Sequence, residues 1–133
     1  MTQNTGITPR GLLESYRWLQ DKASHLARET ALCRKQARGS TVNAVFWQRR
    51  EARLAVESGH LSRLINLRRQ QLNDLLFLLP NEEQRQVLAL RYISLMSYPD
   101  ISKAIQFSLR HVYRLHNQGI EQLDALANTD SIL

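Results

Sequence analysis

The chain has 133 residues, 43% hydrophobic and 7% aromatic, which is enough to bury a core without disulfide bonds in one or two small domains. It contains only 3 prolines and 5 glycines, so turns are few and elements long, which argues against a β-sandwich or β-barrel. The 18 basic and 12 acidic residues give a net charge of +6, typical of proteins that bind nucleic acid or an anionic membrane surface.

The sequence has no feature that predicts secretion, membrane insertion or a disulfide. The stretch Met1–Thr8 is polar and lacks the apolar centre of a secretory signal. The longest apolar run, Leu75–Leu79, is much shorter than a membrane span. The lone cysteine, Cys33, is expected to be a small buried residue. We therefore expect a cytoplasmic protein with no membrane partner.

A stripe of apolar residues predicts a long first helix. Thr8 is a suitable N-cap, and Pro9 is tolerated at the first helical position. The stripe that follows alternates spacings of four and three, which predicts a helix of about 28 residues. Its members are Leu12, Tyr16, Leu19, Ala23, Leu26, Thr30, Cys33 and Ala37. The segment Gly39-Ser40-Thr41 is expected to end this helix.

A second stripe follows and is ended by Pro80. Its members are Leu54, Leu61, Ile65, Leu72, Leu75 and Leu79. Two long stripes with a short connection predict an antiparallel helical hairpin with coiled-coil-like packing over residues 1–80. Two helices of an ordinary bundle are the alternative.

Further apolar residues lie beside the main stripes of the predicted hairpin. They are Leu13, Leu32, Leu64, Leu67 and Leu76. Two helices cannot enclose this wider surface, which favours a homodimer through the hairpin. The alternative is a monomer in which the C-terminal domain folds back over the same surface.

Shorter elements are predicted after Pro80. Gln84 follows Asn81 by three residues, and Asp100 follows Ser97 by three residues. This spacing is typical of helix N-termini. Ser108 is the predicted cap of the last helix. Residues 97–123 thus form a short helix, a three-residue turn and a longer helix, the organisation of a helix-turn-helix. The predicted class is all-α, with a hairpin at 1–80, a helix-turn-helix domain at 81–127 and a flexible tail at 128–133.

The helix-turn-helix prediction assigns roles to particular residues. Ile101, Ile105, Val112 and Leu115 are expected to form the shared core, and Ala104 to lie where the two helices cross. The exposed side of the second helix is expected to bind DNA, since arginine can bond guanine, asparagine adenine, and leucine the thymine methyl group. The candidate DNA-binding residues are Ser108, Leu109, Arg110, His111, Tyr113, Arg114 and Asn117.

Three segments of this region resemble region four of primary-type sigma factors, the module that binds the −35 promoter element. They are Val87–Tyr92, Ser97–Ile101 and Ser108–His116. The turn Ile105-Gln106-Phe107 lacks the glycine often found there, so its geometry is expected to differ slightly.

A wider resemblance covers nearly the whole chain. The helical hairpin, the Leu79-Pro80 junction, the Leu90-Arg91-Tyr92 motif and the segment Val112–His116 resemble ArpU-type regulators of phages and prophages in Gram-positive bacteria. This resemblance implies a regulator of late-gene transcription that acts in the cytoplasm of a bacterial host and that has the host RNA polymerase as a possible partner.

The basic residues are concentrated in the predicted hairpin. Residues 1–80 contain 13 basic and 6 acidic residues, whereas residues 81–133 contain 5 and 6. We interpret Arg49, Arg50, Arg53 and Lys103 as candidate phosphate contacts, which add affinity without sequence preference. The alternatives are solvated helix faces, an RNA-binding hairpin, or docking onto an acidic protein surface such as a polymerase subunit.

Motifs for catalysis and for cofactors are missing from the sequence. No nucleophile motif, glycine-rich phosphate loop or HExxH occurs. His111 and His116 are five residues apart, which does not match helical metal-ligand spacing. We expect no enzymatic activity, no metal and no cofactor. The aromatic residues Trp18, Phe46 and Trp47 are expected to be packing residues.

Two functions follow from these observations. The first is a sequence-specific regulator of transcription that binds double-stranded DNA through the second helix of the helix-turn-helix. The alternative is an adaptor that binds RNA polymerase through the hairpin and does not read DNA.

Overall fold

The computed structural model describes residues 8–39 and 42–132, and in these ranges the chain forms five α-helices and no strand. The all-α class is therefore confirmed. The helices are α1 (Pro9–Gly39), α2 (Ala44–Phe77), α3 (Glu82–Tyr92), α4 (Tyr98–Ile105) and α5 (Leu109–Ile132). None of the described helices combines the length and apolarity needed to cross a membrane.

Four of the helices begin at the N-caps that the sequence predicted. In each case the side-chain oxygen accepts a hydrogen bond from the backbone N–H three residues later, at distances between 2.9 and 3.2 Å. These caps are Thr8, Asn81, Ser97 and Ser108. Each satisfies one of the backbone donors that a helix start leaves without an intrahelical partner.

The chain divides into two compact units that do not coincide with the predicted boundary at residue 80. Residues 18–67 form one unit, here called the two-helix unit, and the described residues before 18 and after 67 form the other, the five-helix unit. Leu13, Leu72 and Leu79 are fully buried in the five-helix unit, and Arg85 Nη1 donates to the Leu79 carbonyl at 3.2 Å. The first turns of α1 and the last turns of α2 therefore belong with α3, α4 and α5.

The two-helix unit buries the predicted apolar stripes. Its buried residues are Leu19, Leu26, Cys33, Leu54, Leu61 and Ile65. Arg34 Nε donates to Glu51 Oε2 at 2.8 Å, and Arg50 Nη2 donates to Glu29 Oε2 at 3.1 Å. These two ion pairs join α1 to α2 along the surface of the unit.

The aromatic residues of this unit contradict one prediction. Trp18 and Phe46, expected to be packing residues, are 61% and 58% exposed. Trp47 is half-buried and packs edge-on against Phe46, with ring centroids 5.0 Å apart. The packing prediction is therefore wrong for Trp18 and Phe46, because neither side chain is covered by a neighbouring element.

The residues predicted beside the stripes separate into two groups. Leu13 and Leu76 are buried in the five-helix unit, whereas Leu32, Leu64 and Leu67 are exposed. The apolar surface that could mediate the predicted homodimer is thereby reduced to the second group and its neighbours in the two-helix unit.

The core of the five-helix unit contains most of the residues predicted for the helix-turn-helix. Ile101, Val112 and Leu115 form a buried cluster with Val87 of α3, and Ile105 is partly buried against it. Ala104, in contrast, is exposed. Its prediction as the crossing point is wrong because α4 packs through Ile101 and Ile105, which leaves Ala104 on the solvent side.

The close approach of helices occurs instead at Gly119, where α5 packs against α3. A Cβ atom at this position would lie 2.9 Å from Leu88 Cδ1 and 3.5 Å from Gln84 Cβ. Leu88 is fully buried, so it has little room to move away. Only glycine therefore fits this contact without a shift of the core.

The last helix also extends further than the sequence predicted. α5 continues to Ile132 and so includes residues 128–132, where a flexible tail was predicted after an end at residue 127. Leu133 and the segment 40–41 lie outside the described residues.

We expect opposite effects of alanine at two helical glycines. Gly59 lies within α2, where an added Cβ meets nothing closer than Arg63 Nη1 at 4.0 Å. Gly59→Ala should therefore raise the free energy of unfolding by about 0.5–1 kcal/mol, the usual gain in helix propensity. Gly119→Ala should lose this gain and lower stability, because Leu88 must be displaced. Urea denaturation of both variants measures the difference, and equal stabilisation would contradict the packing at Gly119.

Candidate nucleic-acid interface

Ser102 stabilises the connection between α4 and α5 through its side chain and its backbone carbonyl. Gln106 adopts the left-handed conformation, with φ of 61°, which is unfavourable for a residue with a Cβ. The Ser102 carbonyl accepts hydrogen bonds from the backbone N–H groups of Gln106 and Phe107, and the Ser102 hydroxyl donates to the Phe107 carbonyl. These three bonds stabilise a tight turn that contains no glycine.

One side of α5 is exposed and carries two arginines one turn apart. Arg110 and Arg114 are both exposed, while Val112 and Leu115 are buried on the opposite side. In the described part of the chain, no hydrogen bond or ion pair involves either arginine. Their guanidinium groups are therefore available to bind an anionic or hydrogen-bond-accepting partner.

The other candidates at the start of α5 differ in what they contact. Leu109 is 39% exposed and lies beside Arg110 in the first turn. The Ser108 hydroxyl accepts the His111 N–H at 3.1 Å, so its first role is that of a cap. The His111 ring is half-buried and lies edge-on to Phe107, with ring centroids 4.8 Å apart.

Two further candidates contact residues behind the exposed side. The Tyr113 ring is 43% exposed and lies 4.7 Å from the Tyr98 ring, measured between centroids. Asn117 is exposed, but its Oδ1 is 3.0 Å from His116 Nδ1. Bidentate recognition of adenine needs both the oxygen and the amide nitrogen of asparagine, so Asn117 must give up this bond to read a base in that way.

A buried histidine underlies this side of the helix. His116 is only 6% exposed, and its Nε2 lies 2.7 Å from the Tyr92 hydroxyl and 3.3 Å from the Tyr98 hydroxyl. A neutral ring with its proton on Nδ1 satisfies these contacts, since Nδ1–H donates to Asn117 Oδ1 and Nε2 accepts from Tyr92. Sequence reasoning missed this role, although the position of His116 four residues after the buried Val112 places it on the buried side.

Burial controls the protonation of this cluster. Burial lowers the pKa of His116, the charges of Arg10 and Arg91 lower it further, and the hydrogen bond to Asn117 opposes the change. Burial also raises the pKa of Tyr92 to about 12, with a smaller contribution in the same direction from Tyr98. At neutral pH the cluster therefore holds a neutral histidine and a protonated tyrosine.

The candidate phosphate contacts lie in both units. Lys103 is exposed on α4, and Arg49 and Arg53 are exposed on α2. Arg50 is exposed too, but it forms the ion pair with Glu29. Residues 18–67 contain 9 basic and 4 acidic residues, whereas the remainder of the chain contains 9 and 8. The net positive charge is therefore concentrated in the two-helix unit.

We expect stability to fall in acid because of His116. Its pKa is lowered in the folded chain from the ordinary value of 6.5, so the unfolded chain binds the proton more readily. The contribution of His116 to the free energy of unfolding should be constant above pH 6.5 and should decrease as the pH falls below that value. His116→Gln should reduce this acid-dependent loss, whereas His60→Gln, at an exposed histidine, should retain it. Denaturation of the three proteins at pH 8 and pH 5 measures the difference, and the same loss in His116→Gln as in the unchanged protein would contradict this assignment.

Comparison of the chain with family models, curated proteins and solved structures found no match.

Proposed function

We propose that this protein is a sequence-specific DNA-binding regulator of transcription without enzymatic activity. The observation that carries the proposal is the pair Arg110 and Arg114, exposed one turn apart near the start of α5 and without partners in the described chain. In this proposal α4, the turn and α5 form a helix-turn-helix, and α5 enters the major groove of double-stranded DNA.

The start of α5 favours an approach to DNA. The first backbone N–H groups of a helix and its dipole attract phosphate, and Ser108 satisfies only the His111 donor among them. Leu109 and Arg110 are in the first turn, the part of a recognition helix that contacts base edges. Lys103 on α4 is exposed and supplies a phosphate contact beside this turn.

The candidate residues then take separate roles. Arg110 and Arg114 bind guanine or phosphate through their forked donors, and Leu109 contacts a thymine methyl group. Tyr113 packs on Tyr98, and its hydroxyl donates a hydrogen bond to the DNA backbone. Asn117 contributes its amide nitrogen, because its oxygen is bonded to His116.

We also propose that α1 and α2 form an antiparallel hairpin with coiled-coil-like packing. The bonds Arg34–Glu51 and Arg50–Glu29 support it within the two-helix unit. The resemblance to sigma region four and to ArpU-type regulators adds a proposed setting, the late genes of a phage or prophage in the cytoplasm of a bacterial host.

Selection from a random DNA library with the full chain tests sequence preference directly. After selection, Arg110→Ala and Arg114→Ala should each weaken binding to the selected site by about 1–3 kcal/mol, because a guanine loses its partner. Binding to random DNA should change much less. Arg28→Ala, at an exposed arginine of α1, is the matched control and should not lower the preference. If the library yields no preferred site, or if both arginine variants lose specific and random binding equally, base reading by α5 is excluded.

The two-helix unit is expected to supply salt-dependent affinity. Replacing Arg49 and Arg53 with glutamine should weaken binding to selected and random DNA alike, and should reduce the salt slope by about 1 for each lost phosphate contact. The control Lys22→Gln with Arg28→Gln changes the net charge by the same amount. Binding titrations at several salt concentrations measure both, and equal slopes for the two double variants would show that Arg49 and Arg53 do not touch DNA.

A polymerase adaptor is the second candidate, favoured by the exposed Trp18 and Phe46. Exposed aromatic side chains are typical anchors of protein–protein interfaces. A gel shift of promoter fragments with and without purified RNA polymerase distinguishes the two functions. A shift by the chain alone supports direct DNA binding. No shift by the chain alone, together with a further shift of the polymerase–DNA complex, supports the adaptor.

A further inference from the structure

The five-helix unit contains a cavity of about 460 Å³ that the proposed DNA contacts do not use. Its size is within the range of sites for small molecules, about 300–1,000 Å³. The charged and phenolic residues that line it are Arg10, Glu14, Arg17, Arg91, Tyr92 and Tyr98. They come from α1, α3 and α4, so the cavity exists only because the start of α1 belongs to this unit.

The charges of the cavity favour an anion. Its lining includes three arginines and one carboxylate, which leaves two positive charges in excess. Neither Arg10 nor Arg17 forms a hydrogen bond or an ion pair in the described part of the chain, and Glu14 forms no ion pair there. Because the carboxylate does not neutralise either arginine directly, both guanidinium groups can bind a ligand.

Contacts within the fold position the remaining wall of the cavity. The Arg91 guanidinium lies 4.2 Å from the centroid of the Tyr98 ring and donates from Nη1 to the Met96 carbonyl at 3.1 Å. The Tyr92 and Tyr98 hydroxyls are both directed at His116 Nε2. These groups are held by contacts within the fold, so they are in place before a ligand binds.

We propose that this cavity binds a small phosphate monoester. A phosphate dianion matches the two excess positive charges, and its oxygens can accept bonds from several forked guanidinium groups at once. The cavity volume of about 460 Å³ is many times the roughly 30 Å³ that one water molecule occupies in the liquid. The cavity therefore has room for an organic group beyond the phosphate. The class of ligand is therefore an organic phosphate of about the size of a nucleoside monophosphate.

The cavity also adjoins the proposed DNA-binding side of α5. Tyr98 lines the cavity and contacts Tyr113 on the exposed side, with ring centroids 4.7 Å apart. A ligand that shifts Tyr98 changes the position of Tyr113. Control of DNA binding by the ligand rests on the proposed function, whereas ligand binding itself does not.

Isothermal titration of the full chain tests the site without DNA. The probes are AMP, inorganic phosphate and adenosine, each at the same ionic strength. We expect AMP and phosphate to bind, AMP more tightly, and adenosine to show no binding. Adenosine binding as tightly as AMP, or no binding of any probe, would overturn the proposal.

Substitutions then place the ligand in this cavity. Arg10→Gln and Arg17→Gln change exposed side chains and should each weaken AMP binding roughly tenfold, since each removes a charge-assisted hydrogen bond. Arg28→Gln makes the same change of charge on α1 in the two-helix unit and should leave AMP binding unchanged. Circular dichroism confirms that each variant is folded. An equal loss in all three variants would show that AMP responds only to net charge, and the proposed site would be wrong.

A DNA titration with and without saturating AMP separates this proposal from the previous one. A change in DNA affinity that disappears in Arg17→Gln supports the link through Tyr98. If AMP binds but no DNA does, the cavity site stands and the proposed function fails. If Arg10→Gln and Arg17→Gln weaken DNA binding and AMP does not bind, these arginines are contacts to the DNA backbone and the cavity proposal fails.

Discussion

The packing of α5 against α3 determines which side of α5 faces solvent. At Gly119 the two helices approach so closely that Leu88 occupies the space of a Cβ atom. Val112, Leu115, Ile120 and Leu123 are buried along the same side. With that side committed to the core, Arg110 and Arg114 are left exposed on the opposite side. The candidate DNA-binding surface is thus a consequence of core packing as much as of its own residues.

The polar cluster around His116 connects the core to this surface. A buried imidazole is costly unless its nitrogens are hydrogen-bonded, and here Tyr92 and Asn117 satisfy both. The bond to Asn117 engages the side-chain oxygen of a candidate DNA-binding residue. Tyr98 extends the same cluster from the cavity to Tyr113. One set of contacts therefore supports the fold, restricts the surface chemistry and lines the cavity.

The basic residues are divided unequally between the two units. The two-helix unit contains 9 basic and 4 acidic residues, a surplus suited to phosphate, whose attraction is independent of sequence. The five-helix unit is nearly balanced, and its two exposed arginines on α5 are suited to particular acceptors in a groove. In the proposed function, DNA affinity comes mainly from the two-helix unit, and preference for a particular site comes from the five-helix unit.

Residue types and apolar spacing predicted most of the helices, four of their caps and most of the core, because these depend on local hydrogen bonds and on apolar periodicity. Thr8, Asn81, Ser97 and Ser108 cap helices as their residue types predict, and Ile101, Val112 and Leu115 are buried together. Tertiary packing fixed the unit boundary, the exposure of Ala104 and Trp18, and the contacts of Asn117. It also brought Arg10 and Arg17 to the same cavity as Arg91. The cavity depends on packing between Arg17 and Arg91, 74 positions apart in the chain. The other features depend on which side chains neighbouring helices cover, and periodicity within one helix carries no information about either.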